Sequence, residues 1–293
     1  VTVPVLLVGF LLAVGWVLPG RLAGARWAAR MPRVAVGAWA ALISAGAVGV
    51  AMLLHWGVTP AHRSETPLGW LLRRGATPTE GIAGHVEALL LALAALAVPA
   101  TVVAAGWRRA ARARARHRAT VDLVARRESE WWVLEEERAA AWCVPGRGGR
   151  IVLTRGALTR LSAAQREAVL AHERAHLAGR HHLLTSGAAA LGRALPWLPA
   201  ARAAAAQVPL LVEMAADDTA LRSCGRRTLA EALALVATAS TPAAGLGAGG
   251  HAVVTRVRRL LAPAAALPRT AQLLGWTAAL LLPAVPVLLA CGP

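Results

Sequence analysis

The chain contains no lysine and no tyrosine, a single phenylalanine and only three cysteines in 293 residues. Cys143, Cys224 and Cys291 lie far apart and none has CxxC spacing, which excludes a disulfide framework and a cysteine-held zinc site. Each reads as a small packing residue. Acids are also scarce: 15 Asp and Glu stand against 32 basic residues, all arginine, for a formal charge of +17. Such a balance would suggest nucleic acid in a soluble protein. Here the arginines cluster beside apolar runs and no nucleic-acid-binding motif appears, so the expected partner is the bilayer surface. With tyrosine missing, tryptophan alone supplies interfacial anchors, and Trp16, Trp56 and Trp107 fall at the edges of apolar runs.

What is abundant is apolar surface. Hydrophobic residues make up 57% of the chain, and mean hydropathy is +0.52. That is too apolar for an ordinary soluble domain. Four runs are long enough to span a membrane, at about 3–19, 34–54, 82–106 and 272–290, the last interrupted by Pro283 and Pro286. No basic residue precedes the first run, and Arg21, Arg26, Arg30 and Arg33 follow it, so it reads as a retained anchor, not a cleaved signal. Residues 20–33 and 107–118 are basic and acid-free, with six arginines from Arg108 to Arg118, whereas the 55–80 loop is nearly balanced. The positive-inside rule then places the long segment 107–270 in the cytoplasm and both termini outside a bacterial plasma membrane. His85 and Glu87, near the start of the third run, would make a polar contact inside the bundle, across the membrane from that segment.

The expected organisation is a membrane domain over 1–106, a cytoplasmic domain over 107–270 and a final span over 271–293. Within the middle part, 108–137 reads as a charged helix, and the acids Glu128, Glu130 and Glu135 to Glu137 as its solvated face. Ala139–Val144 and Arg150–Thr154 read as short strands about a Pro-Gly-Arg-Gly-Gly turn. Ser162-Ala-Ala-Gln165 is a capping-box pattern that opens a helix, in which Ala171, Ala175 and Ala178 would allow close packing. Residues 183–200 are apolar but carry Arg193, Pro196 and Pro199, and read as a membrane-dipping hairpin. A full span there would carry Glu213 to the wrong side. Residues 241–252 read as a flexible loop, and Arg256, Arg258 and Arg259 as membrane-surface anchors. No internal repeat is evident.

The chemistry sits in His172-Glu173-Arg174-Ala175-His176, an HExxH motif. Histidines four apart share one face of a helix and can both reach one zinc ion, and Glu173 between them suits a general base. A catalytic zinc takes three protein ligands and leaves the fourth position for water. The best third ligand is Glu213, on a helix for which Pro209 suits the first turn. Asp217, four residues on, could fix the tautomer of a ligating histidine. His181 and His182 follow the motif and could bind substrate, stabilise an oxyanion or face a headgroup. Asp218 and Glu231 have no spacing relation to the motif.

Taken together, Ala141-Trp142-Cys143-Val144-Pro145-Gly146, Arg150-Ile-Val-Leu-Thr154-Arg-Gly156, Leu161-Ser162 and Val169-Leu170-Ala171 running into HExxH resemble the membrane metallopeptidases of the BlaR/MecR type. The Glu213-x-x-Ala216-Asp217 pattern is shared with that group and with the HtpX/CAAX-protease group. The motifs cover roughly residues 120–225. The resemblance implies a mainly helical multi-span protein with a cytoplasmic zincin-like (gluzincin) α+β domain. It implies one catalytic Zn2+ on His172, His176 and Glu213, Glu173 as the catalytic residue, and a protein substrate such as a transcriptional repressor. Two features depart from the group. His181-His182 stand where relatives often carry an Asp, and only Ala290 to Pro293 follow the last span, so a C-terminal sensor domain is expected to be lacking. The alternatives are an HtpX-like quality-control protease and a non-catalytic membrane scaffold.

Overall fold

Apolar side chains of high helix propensity fill most of this sequence, and in the computed structural model most of it is helical. The structure describes residues 2–58, 78–146, 148–240, 248–262 and 267–291. Most of the 55–80 loop and residues 241–247 of the expected flexible loop lie outside the described residues, as do the side chains of His85 and Glu87. The chain divides into two compact units: residues 1–104, 189–205 and 268–293 in one, and 105–188 and 206–267 in the other.

In the first unit, α1 (Thr2–Leu12), a π-helical turn (Ala13–Val17) and α2 (Leu18–Ala23) run on as one helical stretch. Next come α3 (Pro32–Val58) and α4 (Pro78–Val124), the latter passing into the second unit. The last helices, α11 (Arg269–Leu281) and α12 (Val285–Cys291), are joined by a 3-10 turn, Leu282–Ala284, at the first of the two prolines. Among the described residues, three helices are long and apolar enough to cross a membrane: Val3–Ala23, Pro32–Trp56 and Arg269–Ala290. They meet through glycine, as helices without a hydrophobic driving force between them tend to do. Gly37 lies under the ring of Trp276, Gly49 against Leu11 and Gly275 against Val34. Residues 82–106 lie within α4, which continues unbroken through the arginine run to Val124.

The second unit holds a four-stranded sheet of order β1-β2-β4-β3: β1 (Arg126–Glu128), β2 (Trp131–Leu134), β3 (Ala141–Val144) and β4 (Arg150–Thr154). The expected helix over 108–137 therefore stops at Val124, and the acids placed on its face lie in or beside strands. Trp131, Trp132 and Val133 favour a pleated surface over a helix, and Val133 is buried in the sheet. β3 and β4 form the antiparallel hairpin read from the sequence. Its turn needs glycine, with φ of 146° at Gly146 and 63° at Gly148. β2 runs parallel to β4. The crossing segment is pinned by buried Thr154, whose hydroxyl donates to Arg138 O at 2.7 Å and accepts from Ala140 N at 2.8 Å and Ala157 N at 3.2 Å.

Helices follow the sheet: α5 (Arg155–Arg160), α6 (Ala163–Ala178), α7 (His181–Ala194), α8 (Pro199–Ala220), α9 (Arg226–Ser240) and α10 (Ala248–Leu261). The capping box at Ser162 and Gln165 is formed. Two readings are corrected. α8 begins ten residues before Pro209, because Ala203 to Ala206 propagate it, so the proline lies inside the helix. Residues 248–252, expected in a loop, open α10. Val169 and Leu170 of α6 pack with Ile151, Leu153, Ala157 and Ala232, fixing the HExxH helix to the sheet. Ala168 and Ala220 pack with Leu229 and Leu260, which ties α8 and α10 to the same helix.

Candidate metal centre

The face of α6 that meets the sheet and helices carries the motif. His172 is 4% exposed and Glu173 9%. His172 Nε2 and His176 Nε2 are 3.0 Å apart. The two oxygens of Glu213, delivered by α8, stand 3.4 Å from His172 Nε2 and 3.3 Å from His176 Nε2. Each of the three residues offers one ligand atom, all within 4.8 Å of one another. Donors bonded at about 2.0–2.1 Å to a tetrahedral ion stand roughly 3.3 Å apart. Two imidazoles and a carboxylate converging at that spacing match the ligand set of a catalytic zinc, and the residues present fit the ion.

Behind the candidate ligands lies a buried charge network. Asp217 is fully buried, and its Oδ1 is 3.1 Å from His172 Nδ1. That approach is oblique, a charge contact and not an aligned hydrogen bond. Arg256 of α10 forks onto the same carboxylate, with Nε 2.8 Å from Oδ2 and Nη2 2.7 Å from Oδ1. Its Nη1 is 2.7 Å from Glu213 Oε2. Next along the two helices, Arg259 Nη2 bonds both oxygens of Asp218 at 2.7 and 2.8 Å. The reading of Arg256 and Arg259 as surface anchors is thus corrected: both are drawn inward by acids. Arg258 is exposed.

These neighbours set the protonation states. Burial disfavours the charged form of His172, but Asp217 and Glu213 outweigh it and push its pKa up to about 9. Burial likewise opposes ionisation of Glu213, yet His172, His176 and Arg256 hold its carboxyl well below the usual range. Asp217 is also held low, against burial, by Arg256 and His172. On β3 the Cys143 thiol interacts with Glu173; burial first, and then that carboxylate, push its pKa up and keep it protonated.

The remaining sequence candidates separate here. His181 Nδ1 lies 3.0 Å from His176 Nδ1, on the side of that ring away from Glu213. His182 is not among the candidate ligands, and its pKa is lowered by burial and then by Arg114 and Arg180. Glu231 pairs with Arg227 on an exposed face. Arg256 was missed because an arginine among many carries no spacing relation to HExxH. A signal existed nonetheless. Arg256 shares its helical face with Val253, Val257 and Leu260, and a cation on an apolar stripe calls for a buried acid.

A family model described as Peptidase family M48 matches residues 108–264. The chain belongs to peptidase family M48. The M48 region takes in the sheet, the HExxH helix, Glu213, Asp217 and Arg256. M48 peptidases are metalloproteases, typically zinc-dependent. Membership agrees with the membrane-type metallopeptidase read from the motifs, without singling out the BlaR/MecR type. No curated protein and no solved structure matches the chain.

Proposed function

We propose that this M48 chain is a zinc-dependent endopeptidase of the bacterial plasma membrane, with its catalytic unit on the cytoplasmic face, cleaving a cytoplasmic or membrane-proximal protein. The observation that carries the proposal is the convergence of His172, His176 and Glu213 at ligand spacing beside the buried Glu173. His172, His176 and Glu213 would hold the ion. Bound zinc supplies Lewis acidity, making water a usable nucleophile at neutral pH and polarising a carbonyl. Glu173 takes the proton of the attacking water on its carboxylate. It returns that proton to the amide nitrogen as the C–N bond breaks and the carbonyl carbon gains the hydroxyl. Asp217 holds His172 from behind. Within the first unit, the turn between α7 and α8 packs on the first candidate span: Trp197 lies 6.2 Å from Trp16, and Leu198 lies against Gly15.

The BlaR/MecR-like motifs favour a repressor as substrate. The Glu213-x-x-Ala216-Asp217 pattern and M48 membership favour HtpX-like quality control of membrane proteins. Metal analysis of the detergent-purified protein tests the chemistry. Wild type should carry about one zinc, and Glu213→Ala far less. Glu173→Gln should keep the zinc and cleave nothing. A folded wild type without zinc would leave only a scaffold. Comparing proteins that accumulate in cells bearing Glu173→Gln separates the substrates: one regulator in the first case, many unfolded membrane proteins in the second.

A further inference from the structure

Arg256 does more than neutralise a buried acid. The residue is 7% exposed, and its guanidinium spends three nitrogens on two carboxylates: Nε and Nη2 on Asp217, Nη1 on Glu213 Oε2. Nη2 also lies 3.3 Å from His172 Nε2, so the cation stands directly beside two of the metal-facing groups. Positive charge next to a cation site is costly unless nearby acids offset it, and the local charge balance supplies them. Three carboxylates, Glu173, Glu213 and Asp217, surround the site, and one guanidinium plus one divalent ion neutralise them. The guanidinium is planar and rigid, so bonds to two carboxylates at once fix their relative orientation, as a lysine ammonium would not.

We propose that Arg256 is a positioning residue that makes Glu213 a one-oxygen ligand: Nη1 holds Oε2, and Oε1 is left to the metal. This rests on the metal reading above. Without Arg256 the Glu213 carboxylate is free to rotate and offer both oxygens, and Asp217 loses the partner that keeps it set behind His172. The role belongs to the fork geometry and not to charge alone.

The test uses the full-length protein in detergent, with Zn2+ and Co2+ as probes. Arg256→Gln and Arg256→Lys should each bind Zn2+ about 10–100-fold more weakly, the usual loss when an outer partner of a metal ligand is removed. Their Co2+ complexes should show a visible spectrum altered from wild type, reporting changed coordination. Arg259→Gln cuts the neighbouring tie between the same two helices, to Asp218, and should leave both readouts at wild-type values. Full rescue by Arg256→Lys would overturn the inference, since charge would then suffice. So would wild-type affinity and spectrum in both Arg256 variants. Should neither variant fold, X-ray absorption on zinc-loaded wild type still decides, and two Glu213 oxygens on the metal would overturn it. A wild type that takes up no zinc sinks the metal reading itself, and this inference with it, whereas zinc uptake with unaffected Arg256 variants sinks this inference alone.

Discussion

Asp217 and Arg256, 39 residues apart in the chain, meet through two hydrogen bonds of 2.7 and 2.8 Å where neither is open to solvent. Removing one partner of such a pair strands the other charge. Asp217→Asn should therefore destabilise the catalytic unit by about 3–5 kcal/mol, seen as a lower thermal midpoint in detergent. A midpoint equal to wild type would mean the pair is not a stability element. Asp217 is held below its ordinary pKa, so the stability it contributes is complete above about pH 4 and lost as pH falls through its lowered folded value. The thermal midpoint of wild type should fall across that acid window, and Asp217→Asn should show less of the fall.

Zinc uptake should release a proton from His172. Its pKa is about 9 in the metal-free protein, so at pH 7 the ring is charged, while a ligating imidazole must be neutral. Zinc affinity should accordingly rise with pH until about 9 and flatten above it. The stabilisation from charged His172 in the metal-free protein runs the other way: fully present below about pH 6.5, the ordinary value, and lost as pH rises through about 9. Calorimetric titration with zinc in buffers of different ionisation enthalpy counts the protons, and a count of zero at pH 7 would contradict this account.

Gly156 is confined by backbone. Its N–H bonds Glu136 O at 2.9 Å, and an added Cβ would collide with the Glu137 carbonyl. A carbonyl cannot swing aside as a side chain can. Gly156→Ala should cost roughly 1–3 kcal/mol through overpacking, with a lower thermal midpoint. Gly148→Ala meets open space, although its φ of 63° still favours glycine. An unchanged midpoint in Gly156→Ala would show that the 135–140 crossing gives way.

The parts of the fold legible from sequence are those set by local chemistry. A glycine-rich turn between two β-prone runs announces the β3–β4 hairpin, and Ser162 with Gln165 announces the start of the HExxH helix. The grouping of His172 with His176 follows from helical period alone. Glu213 came within reach because zinc needs a third ligand, which is a chemical constraint acting over a distance. The strands at 126–134 were hidden under a charge pattern that suits a solvated helix as well as an edge strand. Arg256 was hidden for a different reason: its partners are set by how α8 and α10 pack against α6, and the sequence states no such relation locally. Pro209 misled because proline opens helices more often than it sits within them.

The candidate site is also ordered in time. Arg256 lies 84 residues after His172. At synthesis rates of about 5–20 residues per second, that interval lasts roughly 4 to 17 seconds. Throughout it, the emerging chain carries the two histidines without the guanidinium that completes the buried charge set. All three candidate ligands are thus made before the cation that pairs with Glu213 and Asp217, and the buried charge set closes only late in synthesis.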